Sequence, residues 1–202
     1  MYQGELEALG RLHHVSIESL EVLIDLYCMN KQYDHALPLQ VEVFKCNELF
    51  YGENSENAIC ATHRLGEIYS YYKQYYKASV FHRDGLAKRQ KLYGHRHHLT
   101  CKSMYYLARD LCNLQEYDEA VSLFLSAIEG FDETLGETNE FSIQAAEAYS
   151  VLCRELQDYI ESERILQKLV KNKMRLFGPN DPRTLEAIHN LKIQMGANRK
   201  RI

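Results

Sequence analysis

The stretch LQEYDEA, residues 114–120, decides the fold because closely related stretches return along the chain at a fixed interval. They are KQYDHA at 31–36, KQYYKA at 73–78 and QDYIES at 157–162. Their tyrosines are 42 residues apart: Tyr33, Tyr75, Tyr117 and Tyr159. Glycines keep the same period, each after an apolar residue: Gly10, Gly52, Gly94, Gly136 and Gly178. Self-similarity at a period of about 20 to 50 residues predicts a solenoid, in which each unit buries its apolar face against its neighbours.

Inside one period the apolar residues have helical spacing on both sides of the tyrosine. In the third period these residues are Leu107, Leu111 and Leu114, followed by Ala120, Phe124, Ala127 and Ile128. The pattern predicts two helices in each unit, with the tyrosine stretch at the turn between them. A small residue near the start of the second helix lets the two helices approach closely, and it recurs as Ala36, Ala78, Ala120 and Ser162.

The periodic glycines mark the ends of the second helices. We expect each to take the left-handed conformation that closes a helix C-terminus. Polar residues that follow can cap the next helix: Asn54, Ser55, Thr138, Asn139, Asn180 and Asp181.

Composition sets limits on the class of protein. The chain has 202 residues and 46% apolar composition, which suits one domain or one continuous repeat array. A net charge of −4 and a pI near 6.1 give no electrostatic argument for nucleic acid or an anionic membrane as the partner. The charge is uneven, with net −5 over residues 1–82, +5 over 83–102 and −4 over 103–202.

The six cysteines form no CxxC pair, and we predict reduced thiols in a cytoplasmic protein. An apolar run of about 18 residues is lacking, as is a charged-then-apolar leader, so neither a transmembrane span nor a signal peptide is predicted. The motifs GxxxxGK[ST], GxSxG, HExxH and GxGxxG are also missing. The sequence therefore predicts a protein that is not an enzyme and that holds no cofactor.

These features together resemble a tetratricopeptide repeat (TPR) array of the 42-residue kinesin light chain type. Matching positions are Leu23, Tyr27, Tyr33 and Ala36; Leu65, Gly66, Tyr69, Tyr75 and Ala78; and Leu107, Ala108, Tyr117, Ala120, Phe124 and Ala127. The fourth unit matches at Tyr149, Ser150, Tyr159, Ser162 and Leu166. The resemblance covers essentially the whole chain. It implies an all-α, right-handed α-solenoid of helix-turn-helix units that binds peptides or partner proteins on a concave face lined by the first helices.

The repeat register divides the chain as follows. Residues 1–10 are expected to end a preceding second helix, and residues 179–202 to form a capping half-unit with a basic tail. The four complete units are predicted at 11–52, 53–94, 95–136 and 137–178. Because the start resembles a cut second helix, we expect a fragment of a larger protein.

Two local clusters have both a structural and a functional interpretation. His95, His97 and His98 could hold a metal, but adjacent histidines in one loop cannot complete a tetrahedral site, so no metal is predicted. A basic belt lies on the second helix of repeat unit two and the following loop: Arg83, Lys88, Arg89, Lys91, Arg96 and Lys102. We interpret it as a solvated face, with docking of an acidic segment as the alternative.

Helical geometry predicts which residues face the groove. Positions two before, one before and two after the core residues Leu23, Leu65, Leu107, Tyr149 and Leu191 should point away from the second helix. The predicted peptide-binding residues are His63, Arg64, Glu67, Tyr105, Tyr106, Arg109, Glu147 and Asn190, and Glu21, Val22, Asp25, Ala148, Val151, His189 and Ile193 also occupy such positions. Kinesin light chain-type repeats often carry Asn-Asn at the first two positions, and here only Asn190 keeps an asparagine.

The central residues Arg64, Tyr105, Tyr106 and Arg109 are aromatic or basic, types that dominate binding energy at interfaces. We therefore predict a non-catalytic scaffold or adaptor that binds a peptide or protein ligand with acidic and aromatic residues, with neither nucleic acid nor membrane as partner. A sensor or oligomerisation segment of a larger regulatory enzyme or ATPase is the alternative, and a self-assembling solenoid is the third interpretation. The oligomeric state and the identity of the ligand are left open.

Overall fold

The computed structural model describes residues 14–199, and over that range the chain is all α, without a strand. Its helices are α1 His14–Met29, α2 Tyr33–Tyr51, α3 Glu56–Tyr71, α4 Tyr75–Tyr93, α5 His98–Asn113, α6 Tyr117–Leu135, α7 Glu140–Glu155, α8 Tyr159–Phe177 and α9 Pro182–Arg199. First helices of 16 residues alternate with second helices of 19 residues. Among the described helices, none has the length and apolar character needed to cross a membrane. Residues 1–10, expected to end a preceding helix, lie outside the described range.

Each second helix begins at one of the periodic tyrosines, as the repeat predicts. The turn before it is built by a non-glycine residue with positive φ, between 58° and 65°: Lys31, Lys73, Gln115 and Gln157. In the third turn the Glu116 amide donates to the Leu111 carbonyl at 2.9 Å and the Gln115 amide donates to Cys112 at 3.1 Å. This pair of hydrogen bonds is the Schellman arrangement that closes a helix C-terminus.

The periodic glycines do end the second helices, but the predicted left-handed α conformation is wrong in detail. Gly52, Gly136 and Gly178 have φ between 85° and 88° and ψ between 151° and 167°. The left-handed α region requires ψ near about +47°, whereas these angles fall in a region that only glycine visits readily. The left-handed α caps lie instead at the ends of the first helices.

Three of the predicted capping residues open first helices. The Ser55 side chain accepts a hydrogen bond from the Ala58 amide at 3.2 Å, and Asn139 accepts from Phe141 at 2.9 Å. Asp181 accepts from the Arg183 amide at 2.9 Å, just before α9. Each cap satisfies an amide that has no partner inside its own helix.

The described residues form two compact units, which are larger than the 42-residue repeat units. Unit 1 extends up to Lys91 and unit 2 begins at Leu92. In unit 1 the core includes the buried side chains of Ile24, Val43 and Leu65. Apolar burial in unit 2 centres on Leu107 and Phe124, which lie on paired helices α5 and α6. The small residues near the starts of the second helices are fully buried, and the Ser162 hydroxyl donates to the Ser150 carbonyl at 3.1 Å across the α7–α8 pair.

Candidate functional site

Tyr105, Tyr106 and Arg109 form one cluster on α5. The Arg109 guanidinium lies 5.5 Å from the centre of the Tyr105 ring and 5.8 Å from that of Tyr106. The two rings meet edge to face at 5.2 Å, and Lys102 lies 5.6 Å from the Tyr106 ring. Cations over aromatic faces attract the ring quadrupole, so this cluster holds Arg109 in a defined place.

Tyr105 is more buried than the sequence predicts. Only 8% of the residue is exposed, and its ring packs edge to face on Phe124 of α6 at 6.2 Å. Burial raises the pKa of Tyr105, and the neighbouring Arg109 partly offsets that effect. The predicted outward orientation is therefore wrong for Tyr105, whereas Tyr106 and Arg109 are half-buried and accessible in part.

Two clefts lie along the first helices of unit 2, and they share Val151. The smaller, of about 270 Å³, is lined by residues of α5, α6 and α7 that include Arg109, Asn113 and Glu155. The larger, of about 760 Å³, is lined by α7, α8, α9 and the loop before α7. The two clefts border the same residue, Val151, and together we call them the α5–α7–α9 groove.

Glu147 and Asn190, two predicted site residues, both line the larger cleft. The Glu147 carboxylate pairs with Lys173 of α8, whose side chain is only 7% exposed and also donates to the Arg183 carbonyl at 3.3 Å. A buried ammonium needs such partners because its loss of hydration is otherwise uncompensated. Sequence reasoning missed Lys173, since a lysine on a second helix is ordinarily solvated.

The predicted site residues of unit 1 are engaged with their neighbours. Arg64 donates to Asp25 of α1 at 2.6 Å. His63 is 3% exposed and packs against His82 of α4 with ring centres 5.1 Å apart, so its predicted outward orientation is wrong. Glu67 lies on the same helix, with its carboxylate 3.6 Å from His63 Nε2.

The histidine loop has a structural role. His97 is the N-cap of α5, where its Nδ1 accepts from the Leu99 amide at 3.3 Å, and its ring stacks on Tyr93 at 4.6 Å. Within residues 14–199, His, Cys, Asp and Glu side chains form no group of three arranged to hold a metal ion.

The basic belt is not one solvated face. Arg89 is buried, and Lys88 pairs with Asp84 at 2.8 Å within α4. Arg96 pairs with Glu129 and Glu133 of α6. The interpretation as a uniformly solvated face is therefore wrong for Arg89, because its guanidinium is packed inside unit 1.

The paired helices have counterparts among known proteins. Residues 99–173 match the family model of the tetratricopeptide repeat. A comparison with curated proteins finds no match.

Similar solved structures include the nearly identical TPR-like repeats of a Podosopora anserina protein assigned as a kinesin light chain. The TM-score is 0.82 at 20% identity, over 94% of this chain and 90% of that chain. A form of those repeats with one substituted residue gives 0.81 at 20% identity, over 96% and 89%. BtubC (BKLC) from P. vanneervenii gives 0.82 at 18% identity, over 96% and 80%. The resemblance to kinesin light chain-type repeats is thereby confirmed, and so is the all-α solenoid fold class.

Proposed function

We propose that the chain is a non-catalytic cytoplasmic scaffold or adaptor that binds a peptide segment of a partner protein in the α5–α7–α9 groove. Tetratricopeptide repeats are generally protein–protein interaction modules, and solenoids offer extended surfaces for such binding. The observation that carries the proposal is the pair of clefts joined at Val151, which is itself 42% exposed. An exposed apolar residue shared by the two clefts suits an aliphatic or aromatic anchor on the ligand.

The chemistry of the groove favours a ligand with an acidic residue beside that anchor. Arg109 borders the smaller cleft, and its guanidinium can donate two parallel hydrogen bonds to a carboxylate. At the larger cleft Glu147 is already paired with Lys173, so a basic group on the ligand has a better partner in the exposed Glu186. The expected ligand therefore presents acidic, apolar and basic groups in that order from α5 towards α9.

A selection experiment tests this proposal. Peptides are selected on the immobilised chain from a phage-displayed library of random dodecamers, and their affinities are measured by fluorescence anisotropy. Arg109→Ala is expected to weaken binding by about 1–3 kcal/mol, roughly 5- to 150-fold, and Val151→Asp to weaken it as strongly. Lys171→Ala, at an exposed position of α8 outside both clefts, is the matched control.

Circular dichroism of the variants should match that of the parent chain, since the changed side chains are at least partly exposed. Truncating Tyr105 is a poorer test because that ring is part of the core, and its loss would destabilise unit 2. Selected peptides whose affinity survives both groove changes but falls with Lys171→Ala would show that another surface binds them.

A further inference from the structure

The turn from α3 to α4 carries an unusual surface in the stretch YYKQYYK, residues 71–77. Tyr71, Tyr72 and Tyr76 are 51%, 43% and 73% exposed. Tyr33, at the start of α2, stacks on Tyr71 with ring centres 5.9 Å apart and lies 6.4 Å from the Tyr72 ring. The turns that precede α2 and α4 therefore share one aromatic patch within unit 1.

The same backbone turn occurs in unit 2 with different side chains. Lys73 has φ 59° and its equivalent Gln115 has φ 63°. The amides of Gln74 and Glu116 make the same closing hydrogen bond, each at 2.9 Å, to Tyr69 and Leu111 respectively.

Unit 2 builds this turn from NLQEYDE, residues 113–119. Of the seven positions, only the one filled by Tyr75 and Tyr117 holds the same residue in both turns. The turn geometry therefore does not require the additional tyrosines or the lysines of unit 1.

Lysines surround the aromatic patch. Lys31 and Lys73 are the exposed positive-φ residues of their turns, and Lys77 follows in the first turn of α4. The Lys77 ammonium lies 5.5 Å from the Tyr69 ring. Within residues 14–199, no ion pair is formed by these three lysines, so their charge is available to a partner.

We propose that this tyrosine–lysine surface docks an acidic segment of a partner protein; it consists of Lys31, Tyr33, Tyr71, Tyr72, Lys73, Tyr76 and Lys77. Ammonium groups recognise carboxylates, and tyrosine rings supply contact area with little loss of conformational freedom. Exposed aromatic patches of this kind mark interaction sites.

A short acidic peptide fits this surface better than a nucleic acid strand. The exposed Asp34 lies beside Tyr33, and residues 1–82 carry a net charge of −5. Those carboxylates would repel an extended phosphate backbone, which gains affinity from many neutralised phosphates. A peptide can place a few carboxylates on the lysines and its remaining atoms on the rings.

The test uses fluorescein-labelled octaglutamate as the probe and fluorescence anisotropy as the readout. The triple variant Lys73→Gln, Tyr76→Asp, Lys77→Glu installs the residues that unit 2 has at the same positions, so its helical content and melting temperature should match the parent. We expect it to weaken probe binding at least about 10-fold. The control variant Lys171→Gln, Arg175→Gln removes two exposed charges of α8 and should change the affinity less than about 2-fold.

Three results would overturn the proposal. One is an unchanged affinity in the triple variant, and another is an equal loss in the α8 control, which would mean diffuse charge attraction. The third is that the chain binds a labelled dodecathymidine more tightly than octaglutamate and that the triple variant loses this dodecathymidine binding. The aromatic rings and lysines would then bind a nucleic acid strand. The triple variant should leave binding of the peptides selected for the α5–α7–α9 groove unchanged, because its residues line neither cleft, so this surface is tested separately from that groove.

Discussion

The contact between Cys101 of α5 and Gly130 of α6 sets how closely the helix that carries Arg109 approaches its partner. Cys101 is fully buried, and a Cβ added at Gly130 would lie well inside van der Waals contact with its sulfur. Gly130→Ala alone therefore overpacks the interface, at about 1–3 kcal/mol, while alanine gains about 1 kcal/mol of helix propensity over glycine. We expect a net loss of about 0–2 kcal/mol, centred on about 1 kcal/mol, in the free energy of unfolding.

Cys101→Ala alone removes the sulfur and leaves a small void, which should destabilise unit 2 by about 1 kcal/mol. In the double variant the new methyl group occupies the space of the sulfur, and the gain in helix propensity remains. The double variant should therefore lie within about 1 kcal/mol of the parent chain. The coupling energy between the two changes is then roughly 2 kcal/mol, well above the error of such cycles.

Urea unfolding followed by circular dichroism measures each corner of this cycle. Gly85→Ala is the matched control, because Gly85 is a buried glycine within α4 whose added Cβ would meet only Thr62 Cγ2, at an ordinary 3.9 Å. We expect that change to stabilise the chain by up to about 1 kcal/mol. A double variant as unstable as the sum of the two single variants would refute the reasoning, because the close approach would then not depend on the missing side chain.

Three further predictions concern backbone, thiols and acid stability. Gly136→Ala should destabilise the chain by about 1–3 kcal/mol through backbone strain alone, since no atom lies within 4 Å of the added Cβ. Gln115→Gly should be neutral or stabilising by up to about 1 kcal/mol, because Gln115 already has a positive φ. Urea unfolding measures the sign of each change in stability. Burial raises the pKa of Cys112 to about 11, so a disulfide reagent at mildly alkaline pH should label the exposed Cys60 first, and equal rates would contradict this. Hydrogen bonds from the guanidinium and the amide of Arg183 lower the pKa of Asp181 to about 2. The resulting stability is complete above the ordinary aspartate pKa and is lost as pH falls towards about 2. Asp181→Asn should therefore make the melting temperature less dependent on pH over that range.

The sequence predicts the repeat period, the helix pairs and the residues where paired helices approach most closely. It does so because these positions require either glycine, for its backbone conformation, or a small side chain. Gly136 and Ala120 are examples. The left-handed caps at Lys73 and Gln115 could not be predicted from the sequence, since long polar residues have no preference for positive φ. Their conformation accompanies the hydrogen bonds that close the C-terminus of each first helix, such as those from the Gln74 and Glu116 amides.

The groove was predicted less well because a first helix is not packed on one side only. In unit 2, α7 packs against both α6 and α8, so a rule that assigns one buried face misplaces residues at the boundary. Tyr105 and His63 are such residues, and each packs on its own second helix. Lys173 was missed for a different reason: its burial depends on Glu147, which is 26 positions away in the sequence.

Equivalent positions in the repeat distinguish residues that the fold requires from residues available for recognition. The cap glycines are filled alike because their φ, between 85° and 88°, strongly favours glycine. The groove position two after the core residue is filled by Asp25, Glu67, Arg109, Val151 and Ile193 on equivalent stretches of helix. The backbone at this position is constant, but the side chains are acidic in unit 1, and in unit 2 one is basic and two are apolar. Stacking of the repeats does not explain this variation, because it would favour one residue type throughout. Because the chemistry changes from repeat to repeat, we expect that the ligand proposed for the α5–α7–α9 groove would meet different groups at its two ends and would therefore bind in one direction.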